Sequence, residues 1–453
     1  MGNPRNRILN ATIAAGLALG FFSCRTSPTG PHITSNIQLS TDYVTCTEVW
    51  LKVAFSGQRT AISNSEFKIT RDGDTVLTGT LAGTDTVVID TTTQPERTYT
   101  YKAFYLSNSQ VSDTSLPLQV TTLDTTSNNF TWQTYTFGGN AGSAVFNDVA
   151  IINDTDIWAV GDVPLKDSSA NGYSVYNLVG WDGNQWAVYA VRSYVFCGQP
   201  AMNSSYGSAI SLWNPNDIWI ATNGEIVRWN GTSQSVPMCV ETPAGFDIYK
   251  IWGSDSNHVF AVGRAGGLAQ YDGQAWRTFS SGTTLDIRDV WGVSDSTTGE
   301  QDILAVASDE FTNNGVAVLQ LSGTQATLLQ TSGLPTTSIV GVWSANGKEW
   351  YVCGDGLYMT RDLNQPWQRI TDVPSIFLEA IRGTGPNDIF AVGNGAVLHF
   401  DGSRWVDLRS EISAPSLLLY ALAVKGNTIA AVGTSTAGGY VAGSAIILVG
   451  KRN

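Results

Sequence analysis

Histidine is nearly absent from this 453-residue chain: His32, His258 and His399 are the only three, and no two stand at ligand spacing. A histidine-built metal site is therefore not expected. No Gly-x-Ser-x-Gly elbow and no phosphate-binding glycine loop occur either, and no motif calls for a cofactor. Charge is sparse, 14% of residues, and leans acidic, with 25 Lys and Arg against 38 Asp and Glu for a net −13. Without a basic stripe such a surface repels phosphate backbones, which excludes nucleic acid as a partner. Long apolar runs are missing except one, Ile8 to Phe22, which falls short of the ~20 residues of a spanning helix. Cysteine is scarce too, five residues at spacings that match no zinc or redox pattern.

What is present begins with an address. Arg5 and Arg7 precede the apolar run, which ends at Phe22-Ser23-Cys24. That ending resembles the lipobox of bacterial lipoproteins, with Phe21 where leucine is usual. The resemblance implies a signal peptide over 1–23, lipidation of Cys24, a tether over 24–32, and membrane contact through the lipid anchor alone. Loss of Arg5 and Arg7 would leave 23 basic against 38 acidic residues, a net −15. Of the other cysteines, Cys46 and Cys353 sit in apolar strand patterns and are expected to be buried. Cys197 and Cys239 lie in loops flanking one repeat and form the candidate disulfide of an oxidising compartment, two free thiols being the alternative.

Abundant Gly (46 residues), Thr, Ser and aromatics are the usage of many short strands joined by tight turns. Residues 33–123 alternate in strand fashion at Glu48–Phe55, Glu66–Thr70 and Thr86–Ile89, with a hairpin signal at Arg71-Asp72-Gly73-Asp74. Six or seven short strands over that length predict an immunoglobulin-like sandwich. The polar run over 124–130 reads as a linker.

From Phe146 onward the chain repeats itself. Asp156-Ile157-Trp158-Ala159-Val160-Gly161 with Trp181-Asp182-Gly183 returns as Asn387-Asp388-Ile389-Phe390-Ala391-Val392-Gly393 with Phe400-Asp401-Gly402. Further copies begin at Asn216, His258, Asp302, Glu349 and Thr428, making seven units. A preceding apolar strand ends in tryptophan at Trp213, Trp252, Trp291 and Trp343. Each unit predicts a four-stranded antiparallel sheet with the Ala-Val-Gly strand near the crowded inner part. An Asp-Gly or Asn-Gly turn joins the third and fourth strands, and aromatic rings fill the wedge between neighbours. The last unit lacks a fourth strand, and Thr131–Phe137 has the pattern to supply it and close the ring over 131–453.

The pattern Asn-Asp-Ile-Trp-Ala-Val-Gly resembles the tryptophan-rich seven-bladed β-propellers of exported bacterial proteins. Pro95–Ala103, with Trp50 in an earlier strand, resembles the fibronectin type III module. The fold class implied is all-β, a sandwich followed by a propeller. Such propellers host many functions, so the resemblance implies architecture rather than activity. Thr360–Trp367 resembles a degenerate Asp-box, which braces a turn. The residues opening the loops after each Ala-Val-Gly strand, Asp162, Asn223, Arg264, Asp309, Asp355 and Asn394, are the candidate ligand-binding ring around the channel. Long loops at Pro164–Tyr173 and Tyr194–Tyr206 are candidate recognition surfaces. The expected function is non-enzymatic binding of a protein or glycan. A carbohydrate-active enzyme with a carboxylate-lined channel, or an assembly scaffold, are the alternatives.

Overall fold

The computed structural model describes residues 36–55, 65–81, 83–222, 224–240, 246–294, 301–309, 312–413, 417–435 and 443–453. Cys24, Asn223 and the signal segment lie outside them.

The N-terminal strands are β1 (Ile37–Val44), β2 (Val49–Phe55), β3 (Ser65–Arg71), β4 (Asp74–Leu81), β5 (Asp85–Asp90), β6 (Thr98–Ser107), β7 (Gln110–Thr114) and β8 (Leu118–Thr121). They form two sheets, β1-β2-β5 and β4-β3-β6-β7 with β8 also on β6. Alternation along β2 turns Val49, Leu51 and Val53 inward, where they meet Phe67, Ile69, Tyr101 and Ala103 of the second sheet. The fully buried Tyr101 hydroxyl donates to Asp90 Oδ2 at 2.9 Å, and Arg71 closes on the same carboxylate at 2.9 Å. A polar clamp thus joins the two sheets across an otherwise apolar core.

The rest of the described chain is seven antiparallel sheets of four strands. The first comprises Val145–Asn153, Asp156–Lys166, Tyr173–Trp181 and Trp186–Tyr189. Within each sheet the strands run in sequence order. The first strand of every sheet packs against the first strands of both neighbours, and the first sheet meets the seventh, so the ring closes. This is a β-propeller, and its sheets are its blades. The closing strand, β9 (Phe130–Phe137), pairs with Ser444–Arg452 in continuous register from Phe137↔Ala445 to Phe130↔Arg452. N-terminal chain therefore completes the last blade and leaves no open edge there.

One local expectation is corrected. The Ala-Val-Gly strand is the second of each blade, not the innermost; the axis is lined by the strand before it. The second strands are buried along their apolar stretch, and wholly so at Asp388–Gly393, because they are covered on both faces by adjacent blades. A second difference concerns Pro164–Tyr173. Instead of a loop, strands two and three of blade 1 run on as a projecting hairpin, paired from Val163↔Tyr176 to Lys166↔Tyr173.

The repeated dipeptide Trp-Gly is an interlock between blades. Trp252 lies over Gly292 of blade 4, so that a Cβ there would stand 2.3 Å from the indole. Trp213 over Gly253 and Trp343 over Gly383 repeat the arrangement. Indole N–H groups of Trp213 and Trp291 donate across the same boundary, to Gly253 O and Ser344 O at 3.3 and 2.9 Å. The Asp-Ile-Trp pattern also has a local cause: Asp156 and Asp217 accept the indole N–H two residues on. The Asp-Gly turns follow the chemistry of their residues. Asp182 Oδ1 accepts from the backbone N–H of Asn184 and Gln185, while Gly183 takes φ +91°, which a side chain would oppose.

Candidate functional site

Strand direction divides the propeller into two faces. First strands begin, and second strands end, on what we term the front; the Asp-Gly turns lie on the back. The sandwich docks on the back of blades 5 and 6. Arg361 pairs with Glu48, the residue before β2, with its Nε also 3.6 Å from Glu349, and Tyr43 donates to Glu349 at 3.3 Å. Lys348 reaches Asp42 at 2.9 Å. The segment following the sandwich is docked as well. Thr126 donates to Asn387 O at 2.6 Å, and Asn128 bonds both Asp401 and the fully buried His399. Burial, followed by the nearby Glu48 charge, pushes the Glu349 carboxyl up to about 7 against the pull of Arg361.

The front carries a cavity of about 480 Å³ on the propeller axis, lined from all seven blades by Val145, Asn147, Tyr206, Ser208, Tyr249, Arg288, Val340, Glu379 and Tyr420. A backbone device places most of these. In six innermost strands the register slips after the first apolar residue, at Phe146/Asp148, Ile248/Lys250, Ile287/Asp289, Ile339/Gly341, Leu378/Ala380 and Leu419/Ala421. The extra residues are Asn147, Tyr249, Arg288, Val340, Glu379 and Tyr420. A bulge re-aims a side chain that strict alternation would bury between blades, and here all six line the cavity.

One residue further along, charges staple the ring. Asp148 of blade 1 accepts the Ile210 N–H of blade 2 at 3.0 Å and Lys250 of blade 3 at 2.7 Å. Asp289 of blade 4 accepts the Val342 N–H of blade 5 at 2.9 Å and a bidentate grip from Arg382 of blade 6 at 2.8 and 2.9 Å. The same three-blade pattern thus occurs twice around the axis.

The five described candidates among the loop-opening residues sit on the front, one strand outward from the axis, and none lines the cavity. Asp162 pairs opposite Val145 and is half-buried, its carboxyl raised by desolvation. Arg264 lies 3.5 Å from Asp247, and Asp355 accepts Thr337 at 2.7 Å. Asp309 accepts Asn314 at 3.0 Å and the Asp286 N–H at 3.0 Å, which hold it below the ordinary carboxylate range. The exposed Asn394 bridges Leu418 through its backbone. Arg264, Asp309 and Asp355 are thus engaged by neighbouring loop residues. The cavity residues escaped the sequence because six bulge positions carry five different residue types.

The blade 1–2 connection crosses the same face as a short hairpin, Ser193–Tyr194 with Met202–Asn203. Cys197 at its tip is bonded to Cys239, with Cα atoms 5.8 Å apart. Beneath them the buried Glu225 accepts the Tyr194 N–H at 2.9 Å, and its carboxyl is raised by desolvation. Phe196 and Val236, beside the two cysteines in sequence, are 73% and 72% exposed. Of seven large apolar side chains exposed on the described propeller, six fall within 173–236: Tyr173, Val195, Phe196, Met202, Tyr206 and Val236. Cys46 and Cys353 are buried free thiols, and Trp367 of the Asp-box-like turn is core.

Solved structures similar to this chain are propellers. YCF48 bound to D1 peptide aligns at 15% identity and TM-score 0.50, covering 73% of this chain and 99% of that one. The fold assignment stands on that likeness and on the sheet topology. BBS1N in complex with ARL6DN aligns at 13% identity and TM-score 0.44, covering 70% and 96%. PorZ, a surface component of the type-IX secretion system of Porphyromonas gingivalis, aligns at 12% and 0.43, covering 92% and 57%. No family model and no curated protein matches the sequence.

Proposed function

We propose that the chain is an exported, non-enzymatic binding protein, lipid-anchored at Cys24, which captures a protein partner on the front of its propeller. The observation that carries this reading is the exposed Val195, Phe196 and Met202 on a covalently stapled hairpin. Exposed aromatic and methionine side chains held rigid lose little entropy on binding, and a contiguous patch of them marks a protein contact. The geometry agrees, because the sandwich occupies the back face and leaves the front directed away from it. The order β1-β2-β5 against β4-β3-β6-β7 supports the fibronectin type III-like reading of that spacer. YCF48, which shares the fold, was solved with a peptide bound. Glycoside hydrolysis uses a facing carboxylate pair, whereas the cavity lining contributes Glu379 alone.

The test is the pair Phe196→Ser and Met202→Ser. Both sites are exposed, so stability should move by no more than about 0.5 kcal/mol. The expected result is loss of a protein that co-purifies with the wild-type chain, with the unfolding midpoint unchanged. Undiminished co-purification would overturn the assignment. Cys24→Ser should move the chain from the membrane to the soluble fraction; retention in the membrane would refute the anchor.

A further inference from the structure

We propose that the axial cavity is a subsite for one neutral sugar residue of a glycan. This goes beyond the hairpin's protein contact and does not depend on it. The volume, about 480 Å³, lies in the range of small-ligand sites, about 300–1,000 Å³. Its lining distinguishes between ligand classes. Val145 and Val340 are the aliphatic members, so an apolar molecule would meet a mostly polar wall and strip water from it. The two lining charges, Arg288 and Glu379, are opposite in sign and stand on blades 4 and 6, so neither an anion nor a cation has a net field to enter. The deeper charges are already paired, Asp148 with Lys250 and Asp289 with Arg382.

What the cavity offers is aromatic surface with donors and acceptors interleaved: Tyr206, Tyr249 and Tyr420 beside Asn147 and Ser208. A sugar presents an apolar C–H face bordered by hydroxyls that both donate and accept, and it matches that wall. Parts of the wall are held in place. Asn147 Nδ2 donates to Gly207 O at 2.8 Å, the Arg288 guanidinium lies 5.0 Å from the centre of the Tyr249 ring, and Tyr249 donates to Asp286 at 3.3 Å. Burial, followed by Asp286, pushes the Tyr249 phenol up to about 12, so its proton stays directed at Asp286 throughout the neutral range and its oxygen is left to accept from a sugar hydroxyl.

Saturation-transfer NMR and calorimetry on the full chain would test this with methyl glycosides of neutral hexoses and N-acetylhexosamines, and with phosphate and glutamate as charged comparators. The expected result is saturable binding of at least one neutral glycoside. Val340→Trp, which fills the cavity, should weaken it by about tenfold or more. Ser208→Phe fills the opposite wall and serves if the first variant loses its unfolding midpoint. Phe196→Ser should leave sugar binding intact, which separates this claim from the hairpin's. Absence of saturation by every neutral glycoside in the millimolar range, preference for the charged probes, or binding that survives both filled cavities would each overturn the proposal.

Discussion

Tryptophan in this chain is structural because glycine faces it. Gly292 receives the Trp252 ring, with a hypothetical Cβ only 2.3 Å from it, and no rotamer of the fixed indole makes room. Gly292→Ala should therefore destabilise by about 1–3 kcal/mol in denaturant unfolding, the usual cost of overpacking. Gly83→Ala, where nothing lies within 4 Å, should shift stability by no more than about 0.5 kcal/mol. Equal effects would mean that the interlock carries no weight. The facing glycines emerge only from the packing, but the tryptophans were legible beforehand, since Trp213, Trp252, Trp291 and Trp343 recur at one position of the repeat. The bulge residues were not. Asn147, Tyr249, Arg288, Val340, Glu379 and Tyr420 share a backbone slip rather than a side-chain type, and a slip leaves no mark in composition.

At the scale of the strand, the innermost elements are joined by two ionic staples instead of apolar contact alone. Arg382 and Asp289 are both buried, so removing one partner strands the other's charge. Arg382→Met should cost about 3–5 kcal/mol. Adding Asp289→Asn should recover part of that, because the amide oxygen still accepts the Val342 N–H while the charge is gone. Additive losses in the double variant would contradict the coupling. Strand existence followed from sequence alternation, and the closing segment at 131–137 was readable from its Trp132 pattern. Which strand faces the axis was not readable. Both the first and second strands of a blade are short and apolar, and only pairing order separates them. The loop-opening residues consequently lie on the face that carries the cavity, one strand outward from its lining.

At the scale of the whole molecule, the sandwich and propeller meet at Glu48, Arg361 and Glu349, with Tyr43 and Tyr351 packed around the last and Asp42–Lys348 beside it. Glu349 holds its proton up to about 7 in the folded chain, against an ordinary glutamate value of 4.5. Between those values the folded state binds a proton that the unfolded chain has released. Rising pH therefore lowers stability through that window, and the loss is complete above 7. Glu349→Gln should remove this slope and stabilise the chain at pH 8 by on the order of 1–3 kcal/mol. An unchanged pH profile of the unfolding midpoint would show that the joint is not what burial makes it. No pattern in sequence joins residues 48, 349 and 361, so this contact emerges only when the closing strand brings the sandwich against blades 5 and 6.

The same docking gives the molecule a direction, with its sandwich behind and its stapled apolar hairpin in front. The direct test places a photo-crosslinking amino acid at positions 195, 196 and 202 on the front and at 184 and 232 on the Asp-Gly and Asn-Gly turns of the back, in cells carrying the full chain. The account predicts one protein adduct of a single size from the front positions and none from the back. Adducts from 184 or 232 with none from 196 would contradict it.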